Sequence, residues 1–383
     1  MMLLLCMVLT SGIQLTKTDP QLDSALVSAG ANRSQLEAAL NQVSVEHRPG
    51  MIWLIKHMPE ADRHELTSDF LLENVNGAYE SWKAAPWSDG VPEDIFFDAI
   101  LPYATINERR DEWRSSFHDQ FSELVAKAQT PSEAAAILNN RVFPMLGVKY
   151  STERPKPDQS PLESIDAGMA SCTGLSVLLV DACRSVGVPA RFVGTPLWSD
   201  GSGNHSWVEI YDDGKWHFTG AAEPVGMELD KAWFQGRAEG AIEGDAQKAI
   251  LAVTWRKVPL TFPLPWKSGD TTVRAVDVTQ RYKAGKQRLP EGMARIRVRV
   301  IDDKGRRESI PVTVLGVPGG QGHKGVSRDD RFDANDHLEF VLPIGVRIQI
   351  DVEGTDPVTI LVEKDEQLIT VERPVQAVRP EDP

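Results

Sequence analysis

The residue with the most chemical potential is Cys172. It follows Ser171 at what reads as the start of a helix running to Val186, with Leu175, Leu178, Leu179 and Ala182 on an apolar face. Unpaired backbone N–H groups and the helix dipole at such a start favour the thiolate, the nucleophilic form of cysteine. From position alone, a buried and inert thiol is the plainer alternative. The second residue is His205, which opens an apolar strand through Trp207, Val208 and Ile210. A cysteine followed downstream by a strand histidine is what a thiol hydrolase needs: the imidazole holds the proton and the thiolate attacks.

Other clusters are weaker. Asp329, Asp330, Asp333 and Asp336 lie close together, but the glycine and terminal glutamate of an EF-hand loop are missing, so they read as a solvated acidic loop. Trp53, Trp82, Trp87 and Trp113 read as core. The three cysteines are Cys6, Cys172 and Cys183, without a CxxC spacing, so neither a thiolate zinc site nor any other metal or cofactor is expected. Cys172 and Cys183 on one helix would be about 16 Å apart along its axis, too far for a disulfide.

The stretch SCTGLSVLLVDACRSVGVPARFVG, from Ser171, followed by GNHSWVEIYDDGKWHF, from Gly203, resembles the transglutaminase-like superfamily. The likeness spans about Ser160 to Trp233. It implies an α+β core similar to that of papain-like proteases, with the cysteine helix packed on an antiparallel sheet. It also implies Cys172 as nucleophile and His205 as base and acid. The sequence departs from the family at the third residue. The family usually has an aspartate fifteen residues after the histidine, on the second hairpin strand, and here that position is Gly220. Glu223, three residues on, is the expected substitute if the strand bulges or ends near Gly220. Regular alternation argues against it, because Gly220 and Glu223 would face opposite ways. His217 and Asp230 are weaker substitutes, and a site with no orienting acid is the remaining reading. An oxyanion hole should combine the Cys172 N–H with one side-chain donor, for which Gln120 is one candidate among several. Asn204 either shapes the cleft or only begins the strand.

These residues need elements to position them. Residues 20–148 read as helical, with Leu22, Leu36 and Leu40 among the spaced apolar positions. In Asp111 to Ala128, Trp113, Phe117, Phe121 and Leu124 share a face. Thr130-Pro131-Ser132-Glu133 has the cap, first-turn proline and glutamate of a helix start, for a helix reaching Asn140. Tyr150 to Ser164, rich in proline, serine and charge, reads as an extended loop. Gly187 and Pro189 stop the cysteine helix. A short strand at Arg191 to Val193 precedes a hairpin, His205–Tyr211 and Lys215–Thr219, joined through Asp212-Asp213-Gly214. Gly236 to Arg256 reads as partly helical. Beyond Arg281, six β-type runs between Ala294 and Val371 are expected to form a small antiparallel β-sandwich. The division expected is a possible signal peptide over 1–18, a helical region over 20–148, a transglutaminase-like core over 149–275 and a β-sandwich over 285–375. The leader rests on the apolar run Leu3–Leu9 followed by Ser11 and Gly12. It implies export to a periplasmic or extracellular location.

The chain has 383 residues, 41% hydrophobic and 25% charged, with a formal net charge of −14. Without clustered lysine and arginine, nucleic acid is excluded as a main partner, and no segment past the N-terminus is long and apolar enough to span a membrane. The expected activity is acyl transfer at an amide or peptide bond of a protein or peptide substrate, through a thioester and with hydrolysis as the outcome. The alternatives are protein cross-linking, a glycanase-type variant on a glycosylated asparagine, or a weakened core whose terminal β-domain docks protein or glycan.

Overall fold

A computed structural model describes residues 19–283, 289–320, 322–363 and 366–374. The leader expected over 1–18, with Cys6, lies outside the described residues. The chain divides into two compact units, one ending at Leu71 and one beginning at Leu72.

In the first unit, helices Pro20–Ser28, Arg33–Gln42, Arg48–His57 and Glu60–Glu65 bury Leu26, Leu36, Leu40, Met51, Leu54 and Ile55. The first begins where Asp19 accepts the Gln21 and Leu22 N–H groups at its side chain, the usual role of an N-cap carboxylate.

The second unit contains Cys172 and His205. Helix α1 (Arg114–Val125) buries Phe117, Phe121 and Val125. Helix α2 (Pro131–Leu146) is capped by Thr130, whose Oγ1 accepts the Glu133 N–H at 3.1 Å. It runs past the expected end at Asn140 and stops at Gly147, which takes φ 68°. The expected loop over Tyr150 to Ser164 is interrupted. Lys149–Tyr150 (β1) pairs in parallel with Met169–Ala170 (β2), and a short helix, α3 (Pro161–Ala167), lies between them. A complete capping box starts α3: Ser160 Oγ accepts the Glu163 N–H, and the Glu163 carboxylate accepts the Ser160 N–H. Composition had concealed that signature.

Helix α4 (Cys172–Ser185) follows, and every residue after Cys172 in it is buried. Its far end is held by two buried arginines. Arg184 donates to the Ala99, Ala104 and Ala190 carbonyls, and Arg114 donates to the Arg184 carbonyl and to Asn74. Buried guanidinium groups are tolerated only with such dense pairing.

Next comes a five-stranded sheet built from β3 (Ala190–Thr195), β4 (His205–Asp212), β5 (Lys215–Thr219), β6 (Leu251–Val253) and β7 (Ala275–Asp277), in the order β5-β4-β3-β6-β7. Each pairing is antiparallel. The β4–β5 hairpin turns through Asp213 and Gly214 at φ 45° and 75°, as a type I′ turn requires. One face of the sheet packs Phe192, Leu251 and Val253 with Val177 of α4. The other packs Val193, Trp207 and Ala252 with Phe234 and Tyr282. This helix-on-antiparallel-sheet arrangement is α+β. The segment expected to be partly helical holds only the short helix Gln235–Ala238 and strand β6. Gly236, Gly240 and Gly244 recur too closely for a longer helix to persist.

The C-terminal residues form two further sheets, one from β9 (Pro311–Leu315), β10 (His323–Val326), β12 (Arg347–Val352) and β13 (Val358–Leu361), the other from β8 (Met293–Ile301), β11 (Leu338–Pro343) and β14 (Glu366–Glu372). Alternate residues of both, including Ile296, Val298, Val312, Val314 and Ile350, enter one shared core. The expectation of purely antiparallel pairing does not hold, because β14 runs parallel to β8.

Candidate active site

Cys172 is the first residue of α4 and is half-buried. Ser171 caps the helix, its Oγ accepting the Gly174 N–H at 3.5 Å. Gly174 lets this first turn press against β2, since a Cβ there would lie 2.9 Å from the Ala170 side chain. The thiol faces a cleft of about 290 Å³ lined by Tyr150, Asn204, Trp266, Asp333 and Asn335 among others.

His205, the first residue of β4, is 1% exposed. Its ring sits among Trp198, Trp207, Trp233 and Phe234, with centroid distances between 4.8 and 6.1 Å. A carboxylate flanks each ring nitrogen. Glu223 Oε2 is 3.9 Å from Nε2, and Asp333 Oδ2 is 3.4 Å from Nδ1. The Cys172 sulfur, a His205 nitrogen and an Asp333 oxygen all lie within 4.8 Å of one another. Burial opposes the imidazolium, but the charge of Asp333, with help from Cys172, raises the His205 pKa well above its usual value. Burial also pushes on Asp333, yet the His205 charge and the Asn335 donors outweigh it and hold that carboxyl below its ordinary value. Burial pushes Glu223 up to about 7, against the opposing pull of His205.

Glu223 reaches His205 because β5 ends at Thr219. The chain then turns, with the Glu223 N–H donating to the Gly220 carbonyl at 3.2 Å and Ala222 at φ 63°. Strand alternation therefore no longer applies. The Glu223 carboxylate folds back over Gly220, and a Cβ on Gly220 would lie 2.5 Å from Glu223 Oε2. The missing side chain at 220 is the space this carboxylate occupies. Asn139 of α2 secures the turn, donating to Thr219 Oγ1 and the Gly220 carbonyl and accepting the Ala222 N–H. The Trp233 indole N–H donates to Glu223 Oε2 at 2.9 Å.

Asp333 corrects the reading of a solvated acidic loop. Asp329 and Asp330 pair with Arg331 and Arg307 at the surface, but Asp333 is 1% exposed and Asp336 is also buried. Asn335 donates to Asp333 Oδ1 from both its backbone and its side chain, and to the Asn204 carbonyl. Arg307 holds the Asp333 and Asp336 carbonyls. Backbone pairing of this kind lets a charged loop segment be buried. An acidic cluster is ambiguous by composition, and nothing local in the sequence separates the buried aspartate from its solvated neighbours.

Other named residues lie elsewhere. His217 and Asp230 pair with each other at 2.6 Å, half-exposed. Gln120 is exposed, its amide bonded back to the Ser116 carbonyl. Cys183 is fully buried and burial raises its pKa, which makes it inert. Cys172, His205 and Asp333 are the single group of donors close enough to grip a metal ion among the described residues. They are also the groups thiol chemistry would use.

A family model, the Transglutaminase-like superfamily, matches residues 119–219, and the chain resembles that superfamily over this span. No curated protein matches. Among solved structures, a proposed cysteine protease from Cytophaga hutchinsonii is 17% identical over 29% of this chain and 38% of its own, with a TM-score of 0.25. The transglutaminase of red sea bream is 9% identical over 73% of this chain and 66% of its own, with a TM-score of 0.31. A C-terminal fragment of the pilus adhesin SpaC from Lactobacillus rhamnosus GG is 10% identical over 50% and 90%, with a TM-score of 0.20. At these scores none of the three carries an argument.

Proposed function

We propose that this chain, similar to the transglutaminase-like superfamily over residues 119–219, is a thiol enzyme that breaks amide bonds in protein or peptide substrates. The convergence of Cys172, His205 and Asp333 within 4.8 Å carries the reading. In the first half-reaction the Cys172 thiolate attacks the amide carbonyl. The tetrahedral intermediate collapses as His205 gives its proton to the leaving nitrogen, leaving a thioester. In the second, His205 takes a proton from water, the hydroxide adds, and the carboxylate product leaves the thiolate. Glu223 and Asp333 stabilise the imidazolium of the resting thiolate pair and the one formed again when water gives up its proton, Glu223 in the place of the family's aspartate. Hydrolysis is the favoured outcome over transfer to an amine. The C-terminal sheets are read as a β-sandwich domain over 285–375, beside a core over 149–275 and a helical region over 20–148. The leader is read as an export signal.

One observation favours a second reading, that of a weakened or non-catalytic scaffold. Both carboxylates stand farther from the imidazole than the 2.7–3.2 Å of an ordinary hydrogen bond. Incubation of the full chain and Cys172→Ser with methylated casein and a fluorescent primary amine separates the possibilities. New N-termini or released ammonia, without amine incorporation and absent in the variant, is the expected result. Amine incorporation would indicate cross-linking. No product of any kind, from a chain whose thiol still alkylates, would leave the scaffold reading.

A further inference from the structure

An acyl-transfer intermediate places a negative charge on the former carbonyl oxygen, and that charge needs donors waiting for it. The Cys172 N–H, at the open first turn of α4, is one such donor. We propose that the Tyr150 hydroxyl is the second, an assignment that rests on the thiol-enzyme reading above. Three observations point to it. The parallel bridge aligns Tyr150 with Ala170, and the Ser151 N–H donates to the Ala170 carbonyl at 2.9 Å, which fixes Tyr150 beside the entrance to the cysteine helix. The residue lines the same cleft as Cys172 and Asn204. Its oxygen accepts the Ala334 N–H at 2.8 Å, so the ring is anchored, while no acceptor among the described residues takes the tyrosine's own O–H. An anchored phenol with its proton uncommitted, in a cleft shared with a nucleophile, is a donor awaiting an acceptor.

The electrostatics suit that task. An oxyanion donor must not ionise as charge develops. Burial first, then the like charges of Asp333 and Cys172, raise the Tyr150 pKa above its ordinary value, so it stays protonated across the working range. Three other polar side chains of the cleft are committed. Thr173 bonds Ser206, Ser171 bonds the Pro157 carbonyl, and the Trp266 indole bonds Asn107.

The test compares two reactions of Cys172 in the full chain. Alkylation by iodoacetamide needs the thiolate but forms no oxyanion. Acylation by p-nitrophenyl acetate forms one. Tyr150→Phe removes only the hydroxyl, and it should slow acylation by roughly 10²–10³-fold, the cost of one oxyanion donor, while leaving the alkylation rate within about twofold. Acylation unchanged in the variant would overturn the assignment. So would a parallel fall in both reactions, since that would make Tyr150 a support for the thiol or the fold. Wild type that fails to alkylate at neutral pH would instead overturn the thiol-enzyme reading, and this assignment with it.

Discussion

Two carboxylates reach His205 from different parts of the molecule, and they are built differently. Glu223 arrives from the hairpin that also presents the histidine, on a turn three residues past Gly220 and stitched by Asn139. Asp333 arrives from the C-terminal sheets, more than a hundred residues later, on a loop pinned by Asn335 and Arg307. Glu223 has its carboxyl pushed up to about 7, and Asp333 is held below its ordinary value. Near neutrality, therefore, Asp333 is the fixed charge and Glu223 the adjustable one. The space left by the absent side chain at Gly220 is filled from nearby, while the charge that dominates the histidine comes from the C-terminal sheets.

The largest break in this comparison should come from Asp333→Asn. Removing the principal partner of the imidazolium should lower the His205 pKa by about one to three units, the usual effect of an adjacent opposite charge. The alkaline limb of the activity profile should move down with it. An unmoved limb would remove Asp333 from the account.

Glu223→Gln should have a smaller, pH-dependent effect. Glutamine imitates the protonated acid, so activity should match wild type at about pH 6 and fall below it at about pH 8, where Glu223 is ionised. Stability should follow the same group. Because the folded-state pKa is raised, wild type binds that proton more tightly when folded. The resulting stability is fully present below about 4.5 and is lost as pH rises through about 7. Thermal unfolding of Glu223→Gln should accordingly gain on wild type across that window. A constant difference would place Glu223 in the ordinary range.

The smallest effect should come from Asn139→Ala. It leaves the Ala222 N–H and the Gly220 carbonyl without their partner. A cost of about 1–3 kcal/mol is expected from calorimetry. The variant should reproduce the activity profile of Glu223→Gln and leave the alkaline limb set by Asp333 in place. Movement of that limb would mean the two supports are not separate.

Much of this arrangement was legible in advance. Cys172 at a helix start and His205 at the head of a hairpin follow from periodicity and a turn, both local signals. Glu223 was legible only as a possibility, because whether β5 would end at Thr219 depends on Asn139, distant in sequence. Asp333 was misjudged. Its burial comes from a loop docking beside Asn204, a long-range contact that composition does not encode. Helix α3 was missed for a different reason: its capping box stood in plain view, but proline and charge around it outweighed the motif.

The central claim is a reactive cysteine–histidine pair, and the most direct test is the pH dependence of iodoacetamide alkylation at Cys172 in wild type and His205→Ala. Labelling that persists well below the ordinary thiol pKa of about 8.5, and is lost in the variant, is the result predicted. Slow labelling that is alike in both proteins would contradict it.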